Sequence, residues 1–125
     1  MNRAMAIALA LLAPALVGGK KHVSWLDWAN ADPKTASLSN PYNGNAEAIQ
    51  AGEKLYQRYC SACHGQEARG LGRNPSLVSP TIKNTRPAAI EWLLRNGSLR
   101  RGMPSWSHLP PEQRWQLVSW MKSLN

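Results

Sequence analysis

The chain has 125 residues, of which 43% are hydrophobic, and is long enough for one small domain. Domains of this size bury a modest fraction of their surface and often depend on a cofactor or a crosslink. The formal charge of +8, from 15 Lys and Arg against 7 Asp and Glu, would attract an acidic protein, a nucleic acid or an anionic membrane. The basic residues are scattered, apart from the pairs Lys20–Lys21 and Arg100–Arg101, and no nucleic-acid-binding motif is visible. With the export expected from residues 1–19, we predict a protein partner and no nucleic acid.

Residues 1–19, MNRAMAIALALLAPALVGG, are typical of a secretory signal peptide. Arg3 is followed by an apolar run from Ala4 to Val17 and then by small residues. The run is too short to span a bilayer comfortably, and Pro14 interrupts it. We therefore expect export to the periplasm without a stable membrane span; a signal peptide retained as an anchor is the open alternative.

Residues 20–44 are rich in Pro, Asn and Ser, and this composition predicts an irregular N-terminal arm rather than a domain. Trp25 and Trp28 are too apolar to remain in water without cause, so we expect them to pack onto the domain that follows. That domain is predicted to extend over residues 45–125.

A first helix is predicted over AEAIQAGEKLYQRYC, residues 46–60. Asn45 is its expected N-cap, and Glu47 lies in the first turn. Gly52 inside this helix costs about 1 kcal/mol relative to alanine. A second helix crossing at close range would explain the glycine.

The stretch CSACH, from Cys60 to His64, contains both cysteines of the chain. A disulfide between them would close a very small loop and constrain little. A thioredoxin-type redox pair would require a βαβ pattern that the flanking sequence lacks, and a zinc ion would obtain only three ligands, two of them awkwardly adjacent. Covalent haem attachment explains the motif best, because both thiols add to the porphyrin vinyl groups and the His64 imidazole becomes the proximal iron ligand.

Two further helices are predicted after a loop at residues 70–84 that is rich in glycine and proline. The stretch RPAAIEWLLRNG has Thr85 as a possible cap and Gly97 as its stop. The stretch PPEQRWQLVSWMKSL, residues 110–124, is opened by two prolines. Three helices separated by loops, with no convincing strand, predict an all-α domain folded around a bound group.

A haem would need a second axial ligand, and we predict Met103. The candidates beyond the signal peptide are Met103, Met121, His22 and His108. Met121 falls on the apolar face of the last predicted helix, where core packing explains it. Met103 lies in the loop RRGMPSW, where glycine permits a close backbone approach and proline stiffens the chain. His108 is the rival ligand.

From about Gly44 to the C-terminus, the chain resembles a small bacterial class I cytochrome c. The stretch GEKLYQRYCSACHG is similar to the family's first helix and haem motif, and RRGMPSW is similar to its methionine loop. The resemblance implies an all-α class I cytochrome c fold with one haem c, attached by two thioether bonds to Cys60 and Cys63. It also implies that His64 and Met103 are the axial ligands.

The resemblance assigns further roles near the haem. Pro75 in NPSL would accept the Nδ1 proton of the proximal imidazole through its carbonyl, and Leu77 would lie against the ring. The residue before this proline is Asn74, where the family has glycine. Packing between the first and last helices would involve Gly52, Tyr56, Leu117 and Trp120.

The predicted function is that of a monomeric periplasmic electron carrier rather than an enzyme, because two filled axial positions leave no site for a substrate. The alternative is a haem enzyme, or a gas or redox sensor, with an exchangeable sixth ligand. The stretch NPYNGNAEAIQAGEKLY resembles cytochromes that serve quinoprotein alcohol dehydrogenases, which implies such a dehydrogenase as donor and an oxidase or another cytochrome as acceptor. An acidic redox partner is predicted from Arg69, Arg73, Arg100 and Arg101.

Overall fold

The computed structural model describes residues 25–124 of the chain. This part contains seven α-helices and one short 3₁₀ helix, with no β-strand among the described residues. The helices are α1 (Trp25–Ala31), α2 (Pro33–Ala36), α3 (Ala46–Tyr59), α4 (Ser61–His64), α5 (Pro80–Asn84), α6 (Pro87–Asn96), the 3₁₀ helix (Leu99–Arg101) and α7 (Pro111–Ser123). The predicted signal peptide, His22 and the side chains of Trp25 and Trp28 lie outside what is described.

Helix α3 forms where the first helix was predicted and ends one residue earlier than expected. The Asn45 side chain accepts a hydrogen bond from the Ala48 amide at 2.8 Å, which confirms it as the N-cap. Glu47 in the first turn and Arg58 in the last turn both complement the helix dipole. The helix ends at Tyr59, directly before the cysteine motif.

Helices α3 and α7 make the most extensive helix–helix contact in the described structure. Gly52 lies at their crossing, where an added Cβ would stand 2.8 Å from Trp120 Cβ and collide with the Gln116 carbonyl. One turn further on, the rings of Tyr56 and Trp120 lie 4.3 Å apart. The close crossing predicted from Gly52 is therefore confirmed.

Helix α7 is the centre of the hydrophobic core, and α3, α5 and α6 all pack against it. Its residues Leu117 and Val118 are fully enclosed. Ile90 and Leu94 of α6 and Tyr56 of α3 belong to the same cluster. The three longest helices thus surround one core, as the sequence predicted.

The segment expected to be an irregular arm is helical between Trp25 and Ala36, so that expectation was wrong for α1 and α2. Asp32 caps α2 by accepting from the Lys34 amide at 2.9 Å, and Pro33 supplies a fixed φ at the first helical position. Both helices pack on α6. Thr35, which is buried, donates to the Ala29 carbonyl at 2.6 Å and fixes the turn between them.

The long loop predicted at residues 70–84 also contains a short helix, α5. The Ser79 side chain accepts from the Ile82 amide at 3.3 Å, and Pro80 opens the helix. Thr85, the possible cap of the second predicted helix, instead ends α5. The N-cap position of α6 is Arg86. The predicted loop is therefore confirmed only over residues 70–79.

Candidate functional site

A cavity of about 700 Å³ opens between α3, α6, α7 and the loops that follow α4 and α6. Its walls are largely apolar and include the core residues Ile82, Ile90, Leu94 and Leu117. Small-molecule and cofactor sites have volumes of about 300–1,000 Å³ with mostly apolar walls and a few polar groups. The dimensions and the lining therefore match a site for an apolar cofactor.

Cys60, Cys63 and His64 all line this cavity. Cys60 ends α3 through its amide hydrogen bond to the Tyr56 carbonyl at 2.8 Å, and it also begins α4. The Cys63 and His64 amides both bond to the Cys60 carbonyl, at 3.1 and 2.9 Å. One turn of α4 thus directs two sulfur atoms and one imidazole toward a single cavity.

Both cysteines are free thiols in the structure, and their exposure differs. Cys60 is partly buried and Cys63 is exposed. Burial, assisted by the charge of the neighbouring Cys63, raises the pKa of the Cys60 thiol to about 11. The first cysteine of the pair is therefore the more enclosed.

His64 is oriented by a hydrogen bond from its Nδ1 to the Pro75 carbonyl oxygen, at 2.9 Å. Because a carbonyl can only accept, Nδ1 carries the proton and the lone pair of a neutral imidazole is on Nε2. A metal-ligating histidine usually donates its other ring N–H in this way. The ring thus has the tautomer that coordination through Nε2 requires.

Met103 also lines the cavity, on the loop that follows the 3₁₀ helix. Its backbone pairs with Ser98 through hydrogen bonds of 2.9 and 3.1 Å. The chain can turn back here because Gly97, with φ +69°, has no Cβ to collide with the Pro104 backbone. The loop therefore presents Met103 on a short, internally bonded turn.

The other candidate axial ligands differ in their positions. Met121 of α7 also lines the cavity and is buried. His108 is exposed and does not belong to the cavity lining, and its ring lies 5.5 Å from the ring of Trp106. Two methionines therefore reach the cavity, whereas His108 does not.

Pro75 and Leu77 both contribute to the cavity wall. Leu77 is buried, and its amide donates to the Ala68 carbonyl at 2.8 Å, which closes the loop after α4. Pro75 is exposed at the surface while its carbonyl faces His64. This loop thus holds the His64 imidazole through the Pro75 carbonyl and contributes the apolar Leu77 side chain to the cavity wall.

Sequence reasoning missed several residues of the site. Trp106 lines the cavity, and its ring lies 5.4 Å from that of Tyr59, a second lining residue at the end of α3. The Tyr56 hydroxyl donates to the Gly65 carbonyl at 2.5 Å and fixes the residue that follows His64. The sequence gives no sign of the Tyr59–Trp106 contact, because the two rings meet only through the conformation of the loop that carries Trp106.

Several basic residues surround the cavity. Arg73 and Arg101 line it, and Arg100 is exposed next to Arg101. Arg69 is exposed and forms an ion pair with Glu67 at 3.5 Å. Of the four arginines from which an acidic partner was predicted, Arg73, Arg100 and Arg101 therefore form a positive group at the cavity. The charge of Arg69 is partly neutralised by Glu67.

The residues fit a haem better than they fit a zinc ion. Among residues 25–124, no group of three or more His, Cys, Asp or Glu side chains is arranged to hold a metal ion. A haem requires two thiols, an imidazole nitrogen, a thioether and apolar walls, and the lining contains each of these.

Within residues 25–124, no helix is long and apolar enough to cross a membrane.

Residues 47–121 match the sequence model of the family described as cytochrome C oxidase, cbb3-type, subunit III. Cytochrome c550 of Pseudomonas aeruginosa is 27% identical over 106 residues, which cover 79% of this chain and 68% of that protein. In solved structures, cytochrome cL of the marine methylotrophic bacterium Methylophaga aminisulfidivorans superposes with a TM-score of 0.57 and 30% identity, over 66% of this chain and 57% of that chain.

Two larger proteins of Pseudomonas putida are also similar. The quinohemoprotein alcohol dehydrogenase ADH-IIG is 34% identical over 93 residues, or 71% of this chain. The quinohemoprotein alcohol dehydrogenase ADH IIB is 31% identical over 96 residues, or 76% of this chain. The matched segments are only 12% and 14% of the lengths of these two proteins.

Proposed function

This chain belongs to the cytochrome c family matched over residues 47–121, and from that premise we propose that it carries single electrons in the periplasm through one covalently attached haem c. The observation that carries the proposal is that Cys60, Cys63, His64 and Met103 line one apolar cavity. When bound, the haem supplies a one-electron Fe(III)/Fe(II) couple.

Each site residue has a distinct role in this proposal. Cys60 and Cys63 form the two thioether bonds, and His64 binds iron through Nε2. The Pro75 carbonyl holds the imidazole in place through Nδ1 and raises its basicity. Leu77 packs against the bound ring.

Met103 is the proposed sixth ligand rather than Met121. Met103 lies on a loop turn that is closed by its own backbone bonds to Ser98, outside the long helices. Met121 belongs to the enclosed core of α7, where a flexible thioether fills irregular space. A loop-borne sulfur can approach iron without moving a central helix.

The apolar walls determine the direction of the reduction potential. Ile82, Ile90 and Leu117 are buried and give the cavity apolar walls. A low-dielectric surrounding disfavours the additional positive charge of ferric iron, and a thioether ligand favours ferrous iron. We expect a positive shift of the potential relative to a solvent-exposed bis-histidine haem.

A quinoprotein dehydrogenase is the proposed donor, with an oxidase or another cytochrome as acceptor. The names of the two quinohemoprotein relatives support this assignment, and so does the basic rim at Arg73, Arg100 and Arg101. The periplasmic location rests on the signal-like sequence of residues 1–19. We propose a monomer that binds these partners transiently.

The test of the ligand set is the far-red charge-transfer band between methionine sulfur and ferric iron. We expect wild-type protein to show this band and to exclude carbon monoxide in the ferrous state. Met103→Ala should abolish the band, lower the potential and admit carbon monoxide. Met121→Ala, the matched control on the same cavity, should keep the band and lose about 2–5 kcal/mol of stability as a buried truncation.

Three results would contradict the proposal. Loss of the band in Met121→Ala but not in Met103→Ala would transfer the ligand role to α7. Carbon monoxide binding by the wild type would favour the sensor or enzyme alternative. Release of free haem from the wild type into acidified acetone would exclude thioether bonds at Cys60 and Cys63.

A further inference from the structure

Arg114 of α7 and Glu91 of α6 form an ion pair inside the protein. Their exposed fractions are 6% and 4%, and Arg114 Nε donates to Glu91 Oε1 at 2.8 Å. Arg95 approaches the other carboxylate oxygen at 3.7 Å from a half-exposed position. Removal of two charges from water costs several kcal/mol per ion, so a buried pair is weak grounds for a stabilising role. Its other contacts indicate what it does.

The remaining donors of Arg114 hold the chain that leads from Met103 into α7. Its Nη1 donates to the Leu109 carbonyl at 2.5 Å and to the Ser107 carbonyl at 3.4 Å. Leu109 is buried, and a buried carbonyl without a donor costs free energy. Arg114 therefore satisfies the backbone of this segment while Glu91 fixes the plane of the guanidinium.

The segment from Met103 to Leu109 is thus attached at two places. Near Met103, the Ser98 pairing and the hydrogen bond from the Trp106 amide to the Leu94 carbonyl, at 2.7 Å, attach it to the end of α6. At its far end, the attachment is Arg114. Both Met103 and Trp106, which line the cavity, lie between the 3₁₀ helix and the residues that Arg114 holds.

We propose that Arg114 is a positioning residue for Met103: by holding the Ser107 and Leu109 carbonyls, it keeps the loop closed over the cavity and the sulfur at the iron. The inference rests on the proposed function, because it requires Met103 to be the sixth ligand. Glu91 acts through Arg114 and is not itself a residue of the cavity lining.

Binding of imidazole to the ferric holoprotein measures this closure, because the added ligand can bind only after the methionine has left. We expect Arg114→Met to raise the observed binding rate by at least about tenfold, which equals about 1.4 kcal/mol of lost closure. Arg114→Lys keeps the charge but cannot reach Glu91 and both carbonyls together, so it should give an intermediate rate.

Lys122→Met is the matched control on the same helix. Lys122 also directs a cation at backbone carbonyls, those of Ile82, Lys83 and Thr85, but these belong to the α5 segment, which contributes wall residues to the cavity and no proposed iron ligand. Its removal should change the imidazole rate by less than about twofold. All variants are compared without denaturant, after circular dichroism has shown native helix content.

The outcomes separate the two hypotheses. If the wild type lacks a far-red band that depends on Met103, the proposed function fails. If the band is present but Arg114→Met and Lys122→Met change the imidazole rate equally, or neither changes it, the positioning role is overturned. If Arg114→Met does not fold, Arg114→Lys decides: a rate equal to that of the wild type overturns the proposal.

Discussion

Tyr56 connects the central core to the turn that carries the haem-binding motif. Its side chain is 0% exposed, its ring packs on Trp120, and its hydroxyl donates to the carbonyl of Gly65, the residue after His64. Burial raises the pKa of this phenol to about 12, and the charge of Cys60 contributes in the same direction. A thioether at Cys60 would remove the second contribution and leave the first.

Tyr56→Phe should lower the free energy of unfolding at pH 7 by about 1 kcal/mol, because one buried hydrogen bond is lost and the Gly65 carbonyl loses its donor. The ring contact with Trp120 is kept. Chemical denaturation followed by tryptophan fluorescence measures the difference. An unchanged unfolding midpoint would show that the hydroxyl is not needed to hold the turn.

The same variant predicts a pH dependence of defined sign. The pKa of Tyr56 is higher in the folded protein, about 12, than the reference value of 10.0, so its contribution is fully present below pH 10. Between pH 10 and about 12 the unfolded chain loses the proton first, and the wild type loses stability. The difference in the free energy of unfolding between wild type and Tyr56→Phe should therefore decrease as the pH rises through this range. A difference that stays constant would contradict the raised pKa of Tyr56 in the folded protein.

At the residue scale, local sequence was sufficient only where the chemistry itself is local. Cys60, Cys63 and His64 line one cavity, as expected from the spacing that thioether attachment and proximal ligation require, and their roles toward a haem stay predictions. The His64–Pro75 hydrogen bond joins residues that are separated by a folded loop, and only the family resemblance suggested it. Trp106 had no such signal, and the axial role of Met103 stays a prediction because two methionines line the cavity.

The crossing of α3 and α7 fixes the geometry of the whole site, because α3 ends at the cysteine motif and α7 forms a cavity wall. The helices approach closely at Gly52, which lacks a Cβ. A displacement at this crossing would be transmitted along α3 to Cys60.

Gly52→Ala should therefore destabilise the protein, although alanine is the better helix former by about 1 kcal/mol. The new methyl group would meet the Gln116 carbonyl and Trp120 Cβ, and overpacking of this kind costs about 1–3 kcal/mol. Gln50→Ala, at an exposed position of the same helix, is the control and should change stability by less than about 0.5 kcal/mol. Denaturant unfolding of the holoprotein gives both values, and a Gly52→Ala protein as stable as the wild type would show that the crossing has room.

At the element scale, the sequence predicted the three long helices α3, α6 and α7 but none of the four short ones. Helices α2 and α5 have four and five residues, too few to show a repeat of apolar positions. Their signal was the pair of an N-cap residue and a proline, Asp32–Pro33 and Ser79–Pro80. Lys122 of α7, far away in the sequence, helps to hold α5 in place: its Nζ donates to the carbonyls of Ile82, Lys83 and Thr85.

At the scale of the whole molecule, the all-α class I cytochrome c fold predicted from the sequence is confirmed by the family match and the similarity to cytochrome cL. The helical part of the N-terminal segment is an addition outside the matched residues, since α1 and α2 precede residue 47. It is attached to the rest of the domain by two hydrogen bonds from Arg86, whose backbone amide donates to Asn30 Oδ1 at 3.2 Å and whose Nη2 donates to the Thr35 hydroxyl at 3.3 Å.

Part of the net positive charge of the chain lies at the cavity rim. Arg73 and Arg101 line the cavity. Arg100 is exposed next to Arg101 on the 3₁₀ helix, which begins with the exposed Leu99. Charges of one sign around a redox site attract an oppositely charged partner and orient it on approach. This arrangement predicts an acidic surface on the donor.

The prediction concerns the rate of reduction by a quinoprotein dehydrogenase, measured by stopped flow across a salt series. Exposed charges are screened over about 8 Å at physiological ionic strength, so the wild-type second-order rate should fall as salt rises. Arg100→Gln/Arg101→Gln should lower the rate at low salt and flatten its salt dependence, with potential and stability unchanged. Lys34→Gln/Lys54→Gln removes the same charge from two exposed positions that do not line the cavity, and it should have a much smaller effect. Equal effects of both pairs would mean that total charge alone governs the encounter, and a rate insensitive to salt and to Arg100 and Arg101 would exclude steering by this rim.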